Sequence, residues 1–419
     1  MSSNDRDWLI VGGRVLDPAQ SLDGKRDVWI RQGKVHAIEK SGVLTKSDRL
    51  AGTPVIEADG LWVLPGLIDA HVHLREPGLE YKETISTGTL AAAAGGFTSV
   101  ACMANTQPVN DCASVTAFIR ERARTSAHVR VFPIGAVSKG LKGEELAEIG
   151  GMVSEGIRAI SDDGMPVMNA YLMRKAMEYA KAFEIPVISH AEDANLVGSG
   201  VMNEGIWSNS LGLRGNPAAA EEIMVAREIA LCRLVRCPTH IAHVSTAAAV
   251  AHIRRAKEDG LPVTAEVTPH HLTLTDAAVA GYDTCCKMAP PLRHESDVEA
   301  LIQALNDGVI DMIATDHAPH GEIDKAVEFD QAANGIIGLQ SALSLTLELV
   351  FSKKLKLARC VAALTKNPAD LFKIPHGTLR KGVEADLTIL DPDSHTVFDR
   401  EQIVSKSANS PYLGRKLRA

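Results

Sequence analysis

Histidine and aspartate recur in this chain at the ends of apolar runs, and that placement is the first clue to its chemistry. D-A-H-V-H-L-R carries His71 and His73, S-D-D-G carries Asp162 and Asp163, and S-H-A-E-D carries His190. H-I-A-H-V-S carries His240 and His243, T-P-H-H carries His270 and His271, and A-T-D-H-A-P-H carries Asp316, His317 and His320. Imidazole and carboxylate donors without thiolates suit zinc or a similar divalent ion. His71 and His73 stand two residues apart, so on a strand both face one side and one ion can take both. The remaining carboxylates and histidines suffice for a second ion. Two ions about 3.5–4 Å apart can share a carboxylate and a hydroxide, and water acidified to a pKa of about 7 is a nucleophile at neutral pH.

Each motif also has a plainer reading. A lone buried histidine is ordinarily a hydrogen-bonded core residue. Asp163 beside Gly164 suits a turn or a helix cap. His243 with Ser245 can cap a helix, and Asp316 with His317 can be a buried structural pair. Separately these readings compete well. Jointly they need unrelated reasons for several runs to end in a metal-competent residue. His240, His270, His271 and His317 are assigned supporting or structural roles.

The elements that must position these groups alternate. Apolar strand-like runs occur near 63–72, 97–103, 129–137, 158–162, 186–190, 239–244, 263–269 and 311–315. Helical patterns lie between most of them, as at 112–126, 167–184, 218–236 and 246–259. Eight parallel β/α units close a barrel, and the strand ends then converge on one face. The segment 321–335 reads as a long, charged, mobile loop of the kind that covers active sites. The first sixty residues, and 378–390, read as short strands, so the two chain ends are expected to pair into a small β domain.

Composition narrows the class. The 419 residues carry a net charge of −8, with 23% charged, 45% apolar and 4% aromatic side chains. These proportions exclude wholesale disorder, collagen and coiled coil, and leave no electrostatic case for nucleic acid or an anionic membrane. Seven cysteines without a C-x-x-C pair argue against a disulfide framework and a thiolate zinc site, so they are read as small core residues. The start M-S-S-N-D-R-D-W lacks the pattern of a signal peptide, and no apolar run reaches spanning length. A soluble cytoplasmic protein is expected.

P-G-L-I-D-A-H-V-H-L-R-E-P-G, A-N-T-Q-P-V-N-D, S-D-D-G, H-A-E-D, H-I-A-H-V-S-T, V-T-A-E-V-T-P-H-H-L and I-A-T-D-H-A-P-H occur in that order. From about residue 50 onward the chain thereby resembles the amidohydrolase superfamily and, more narrowly, the bacterial class I dihydroorotases. The resemblance implies an α/β fold: a distorted (β/α)8 barrel over 61–366, with a small β-sandwich from 1–60 and 367–419. It implies reversible cyclisation of N-carbamoyl-L-aspartate to L-dihydroorotate in pyrimidine synthesis. By motif position, His71, His73 and Asp316 would hold one zinc, His190 and His243 the other, and Asp163 would bridge both with a hydroxide. Asp163 stands where many relatives have a carboxylated lysine, so no such lysine is expected. Asp316 would shuttle the proton. His73, Arg75, Asn105 and His320 would meet the substrate, with Ala289, Asn334 and Gly335 beside it. A homodimer and a complex with aspartate carbamoyltransferase are implied partners.

The chain also departs from the family pattern. K-M-A-P-P-L-R puts Ala289 where an asparagine is usual, A-N-G-I-I-G-L-Q brings Asn334 and Gln340, and M-A-N-T brings Ala104. Two other readings compete. Allantoinase- or dihydropyrimidinase-type amidases usually bridge through lysine, which Asp163 counts against. A non-catalytic partner of aspartate carbamoyltransferase would typically have lost metal histidines that are all present here.

Overall fold

The computed structural model describes residues 7–44 and 52–418. The signal-peptide expectation rests largely on residues 1–6, outside the described residues. Strands Trp8–Asp17, Leu22–Arg31 and Lys34–Lys40 form an antiparallel meander. Val55–Glu57 and Trp62–Pro65 join the first of these in parallel. Leu387–Leu390 then pairs antiparallel with Trp62–Pro65, so the two chain ends meet in one six-stranded sheet. Ile10, Val15, Val28, Val35, Val63 and Leu379 are buried together beneath it. Of the strand-like stretch 378–390 only 387–390 is a strand. Thr378 and Leu379 instead donate to the buried Asp17 carboxylate. A hairpin of His395–Phe398 and Arg415–Arg418, absent from the sequence reading, packs through Phe398 and Leu417 with Tyr412 against Leu345.

The middle of the chain forms parallel pairings that return on themselves. Leu67–Val72, Phe97–Cys102 and Arg130–Pro133 pair in order. Single parallel bridges run from Gly135 to Ile160 and from Ile160 to Val187. Val187–Ser189, Thr239–Ile241, Val263–Val267 and Met312–Ile313 continue the series. A bridge from His317 to Val72 joins the last run to the first. A helix or helical turn follows each run. The Ala170–Ala182 helix shows why: Asn169 accepts from the Tyr171 and Leu172 N–H groups, and Leu172, Met173, Ala176, Met177 and Ala180 form its buried stripe.

Two expected strands are shorter than their apolar runs. At 158–162 only the bridges at Ile160 remain, because the Asp162 side chain takes the N–H groups of Val137 and Ser138 and ends the ladder. At 311–315 the strand is Met312–Ile313, because Asp69 accepts the Thr315 N–H. The segment 321–335 differs from the mobile loop expected. Glu322–Lys325 is a helical turn, Phe329 and Ala332 are buried, and the Lys325 amino group donates to the Thr284 and Ala333 carbonyls at 2.9 and 2.7 Å. Cys102, Cys232, Cys237, Cys286 and Cys360 are buried, Cys112 and Cys285 are partly exposed, and all seven are free thiols. Among the described residues no helix is long and apolar enough to cross a membrane.

Candidate metal centre

The strand ends bring two donor clusters together. His71, His73, Asp163 and Asp316 form one; Asp163, His190 and His243 form the other; within each, the ligand atoms lie within 4.8 Å of one another. All six residues are buried, and Asp163 belongs to both clusters. His71 and His73 come from the strand Leu67–Val72 and the residue after it, on one side as their spacing requires. His73 Nε2 lies 2.9 Å from Asp316 Oδ1 and 3.3 Å from Asp163 Oδ2. His190 Nδ1 and His243 Nε2 lie 2.9 Å apart, and each stands 3.4–3.5 Å from Asp163 Oδ1. His71 Nε2 is buried and makes no hydrogen bond, although Asp163 and Asp316 oxygens lie 3.4 and 3.5 Å away. An orphaned imidazole nitrogen facing carboxylates that are themselves acceptors fits a shared cation.

The outer atoms of the ligands are held by a second layer. Glu266 accepts from His71 Nδ1 at 2.6 Å, pairs with His240 Nε2 at 3.0 Å, and takes the His243 backbone N–H. Asn105 Oδ1 meets His73 Nδ1 at 2.8 Å. Glu192 stands 3.4 Å from His190 Nε2 and accepts from Asn216. Such partners fix ring orientation and tautomer. Glu266 and Glu192 did not figure among the candidates from sequence. Their signals were an acid inside the apolar run V-T-A-E-V and the acid of H-A-E-D. His240 falls in this layer, whereas His271 contacts Thr268 and the Pro290 carbonyl. His317 pairs with Glu83, and His270 Nε2 is buried without a partner.

Electrostatics at the centre point one way. Burial opposes charge on His71, but Asp163, Asp316 and Glu266 outweigh it and hold the ring well above the ordinary imidazole range. Burial likewise opposes charge on His190, yet Asp163 and Glu192 raise it to about 10. Burial resists ionisation of Asp163, and His71, His190 and His243 more than offset that, so its carboxyl lies well below the usual range. Asp316, similarly buried but facing His71 and His73, falls to about 2. His73 moves down instead, through burial and the charge of Arg75, despite its bond to Asp316. The carboxylates thus draw positive charge that the side chains supply only by holding protons.

The centre opens into a cavity of about 270 Å3 lined by Arg75, Asn105, Ala289, His320 and Asn334 among others. Arg75 is buried with a left-handed backbone, φ 62°. It bonds the Pro319 carbonyl and His320 Nε2 at 3.2 and 3.4 Å rather than a carboxylate, and burial lowers it to about 10. His320 is held neutral by burial and by Arg75 and Lys82, down to about 2. Lys82 approaches the other His320 nitrogen at 3.2 Å. Gly335 does not line the cavity; it lies behind His320, where an added Cβ would come within 2.8 Å of the ring. Gln340 is a tether elsewhere, bonding the Gln402 carbonyl and the Val404 N–H. Ala104 is core. A larger cleft of about 670 Å3, between the Glu295–Asp307 helix and Arg415, contains no histidine.

The Dihydro-orotase-like family matches residues 60–249. A dihydroorotase of Syntrophobacter fumaroxidans is 54% identical, over 98% of this chain and 93% of its own. One of Anaeromyxobacter dehalogenans is 53% identical, over 98% and 94%. Among solved structures, the L-hydantoinase (dihydropyrimidinase) from Arthrobacter aurescens superposes with a TM-score of 0.88 at 25% identity, covering 99% of this chain and 93% of its own. The dihydropyrimidinase from Brevibacillus agri NCHU1002 gives 0.84 at 26%, covering 98% and 92%.

Proposed function

The chain belongs to the dihydroorotase family, and from that premise we propose that it interconverts L-dihydroorotate and N-carbamoyl-L-aspartate in pyrimidine synthesis. It is a cyclic amide hydrolase acting on a small molecule. The parallel circuit is read as the distorted (β/α)8 barrel, with the domain division 1–60, 61–366 and 367–419 and a small β-sandwich from both ends. His71, His73 and Asp316 would hold one zinc, His190 and His243 a second, and Asp163 both. When bound, such ions polarise the amide carbonyl and acidify water. Asp163 belongs to both clusters and lines the cavity, which supports a bridge by this residue rather than by a lysine carbamate.

The single observation that carries the substrate assignment is Arg75. A buried guanidinium bonded to a carbonyl and an imidazole, one wall away from the donor clusters, is suited to an incoming carboxylate. Dihydroorotate has a carboxylate on its ring; hydantoin and dihydrouracil do not. Asn105 turns its oxygen to His73 and so directs its amide donors away from that ring, toward the cavity. In the hydrolytic direction Asp316 takes a proton from the attacking water and passes it to the departing ring nitrogen as the C–N bond breaks. The freed carbonyl carbon becomes the second carboxylate of the product. Asp316 suits this by position: its carboxylate stands at the donor cluster, 2.9 Å from His73, and lines the cavity. Cytoplasmic placement belongs to the same reading; pairing with a second copy or with aspartate carbamoyltransferase rests on family resemblance alone.

The test is an assay of purified protein on dihydroorotate, hydantoin, dihydrouracil and allantoin. Preference for dihydroorotate is expected, and preference for another ring would refute the assignment. Asp316→Ala should lower kcat by about 10²–10⁴-fold with the fold intact. Unchanged kcat would remove Asp316 from the proton path.

A further inference from the structure

The wall of the cavity that carries His320 is not held by the barrel alone. A segment near the C-terminus, S-K-S-A-N-S-P, runs beneath it. The Ser405 hydroxyl and the Lys406 N–H both bond Glu83, which is buried and paired with His317. Ser407 donates to the Lys82 carbonyl at 2.6 Å. These contacts deliver Asn409 to a place where every polar atom of its side chain is used. Oδ1 accepts the His320 backbone N–H at 3.0 Å. Nδ2 donates to the Ala318 carbonyl at 2.9 Å and to the Gly335 carbonyl at 3.0 Å. Its own carbonyl accepts the Ile337 N–H at 3.0 Å.

We propose that Asn409 is a positioning residue for substrate binding: its amide locks Ala318–His320 to Gly335 and thereby aims His320, and Arg75 bonded to it, at the substrate carboxylate. The inference rests on the dihydroorotate reading above. One group must supply an acceptor and two donors in a plane, and only a primary amide does so at this length. The surroundings leave little slack. Ala318 also donates to the Ile336 carbonyl, and Gly335 packs so closely that a Cβ would stand 2.6 Å from the Ala318 oxygen. Asn409 touches no metal-competent side chain in its hydrogen bonds, so its loss should act on binding of the carboxylate rather than on the metal centre.

The test is Asn409→Asp, which keeps the acceptor and the shape but loses both donors. With dihydroorotate, KM should rise roughly tenfold while kcat stays within about threefold and metal content stays close to wild type; Tm should fall, because a buried carboxylate then faces two carbonyl oxygens. Gly335→Ala, whose added Cβ would press on the His320 ring and the Ala318 oxygen, should reproduce the KM effect with the Asn409 side chain itself unaltered. Hydrogen exchange supplies a readout independent of turnover: the His320 amide, which bonds Asn409 Oδ1, should lose protection in Asn409→Ala, which removes that acceptor. Unchanged KM, or an effect confined to kcat or Tm, would overturn the proposal. If the wild-type protein does not turn over dihydroorotate, the functional reading fails; unchanged exchange at His320 would then overturn the tether by itself.

Discussion

The two ends of the cavity are charged in opposite senses. At the metal end, Asp163 and Asp316 with Glu266 behind them outnumber any fixed cation, and they pull His71 and His190 toward protonation. At the other end, Arg75, Lys82 and a neutral His320 meet, and Arg75 bonds neutral groups only. The first end lacks a fixed cation; at the second, Asp324 pairs with Lys82 at 3.4 Å and leaves Arg75 without a carboxylate partner. The difference teaches which partner each end awaits: divalent ions at the first, a ligand carboxylate at the second. A cyclic amide with a carboxylate on its ring spans both. The hydantoinase-like structures share the backbone, so backbone likeness alone does not choose among rings.

The sharpest way to break the comparison is at the shared carboxylate. Asp163→Ala removes the one donor common to both clusters. Turnover should fall by at least about 10³-fold, and bound zinc, measured by elemental analysis, should fall in both halves together. Retention of one ion at full affinity would show that the halves are independent and that Asp163 serves only one.

Next in size is the cationic end. Arg75→Met should cost about 2–5 kcal/mol in kcat/KM for dihydroorotate, because a desolvated charge pair with the substrate is lost. Zinc content should be unaltered, and the discrimination between dihydroorotate and dihydrouracil should narrow. Equal losses on both rings would mean that Arg75 shapes the wall and does not read the carboxylate.

This division was only partly legible in the sequence. His71, His73, His190, His243 and Asp316 stand out because each interrupts or ends an apolar run, and a strand end in a barrel leads to the same face. Asp163 was harder, since Asp162 beside it has the same chemistry. The structure separates them by what they bond: Asp162 takes the Val137 and Ser138 backbone, and Asp163 takes the cluster. Glu266 was passed over because its partners sit on other strands. Asn409 and Lys325 act on backbone carbonyls, which every residue has and which no side-chain pattern reveals. Composition suggested mobility for 321–335; burial of Phe329 and three carbonyl contacts of Lys325 contradict it. The second hairpin escaped for a similar reason, its strands being four residues long and half exposed.

A smaller effect tests the metal end without mutation. In metal-free protein the His190 ring is raised from 6.5 to about 10 by Asp163 and Glu192, against burial. Its contribution to stability is then fully present below pH 6.5 and is lost as pH rises through about 10. The Tm of metal-free protein should fall along that range, and the zinc-loaded protein should not follow, because the ion replaces the proton. Zinc uptake near pH 8 should accordingly release protons, read by calorimetry in buffers of different ionisation enthalpy. Uptake without proton release would mean the carboxylates do not charge the imidazoles.

The smallest expected change lies between the two ends, at Ala289. It lines the cavity with Met288, and its methyl offers no hydrogen bond to a bound ring. Ala289→Asn would add an amide there. One neutral hydrogen bond contributes about 0.5–1.5 kcal/mol, so KM for dihydroorotate should fall by roughly two- to tenfold with kcat and zinc content unchanged. The cavity is only about 270 Å3, and the amide adds volume to it, so the sign of the result is informative. A lower KM means the wild-type site leaves a polar edge of the ring to water, and that affinity here is set mainly by the two charged ends. A higher KM means the methyl is a steric match, and that the middle of the cavity selects the ring as strongly as its ends do.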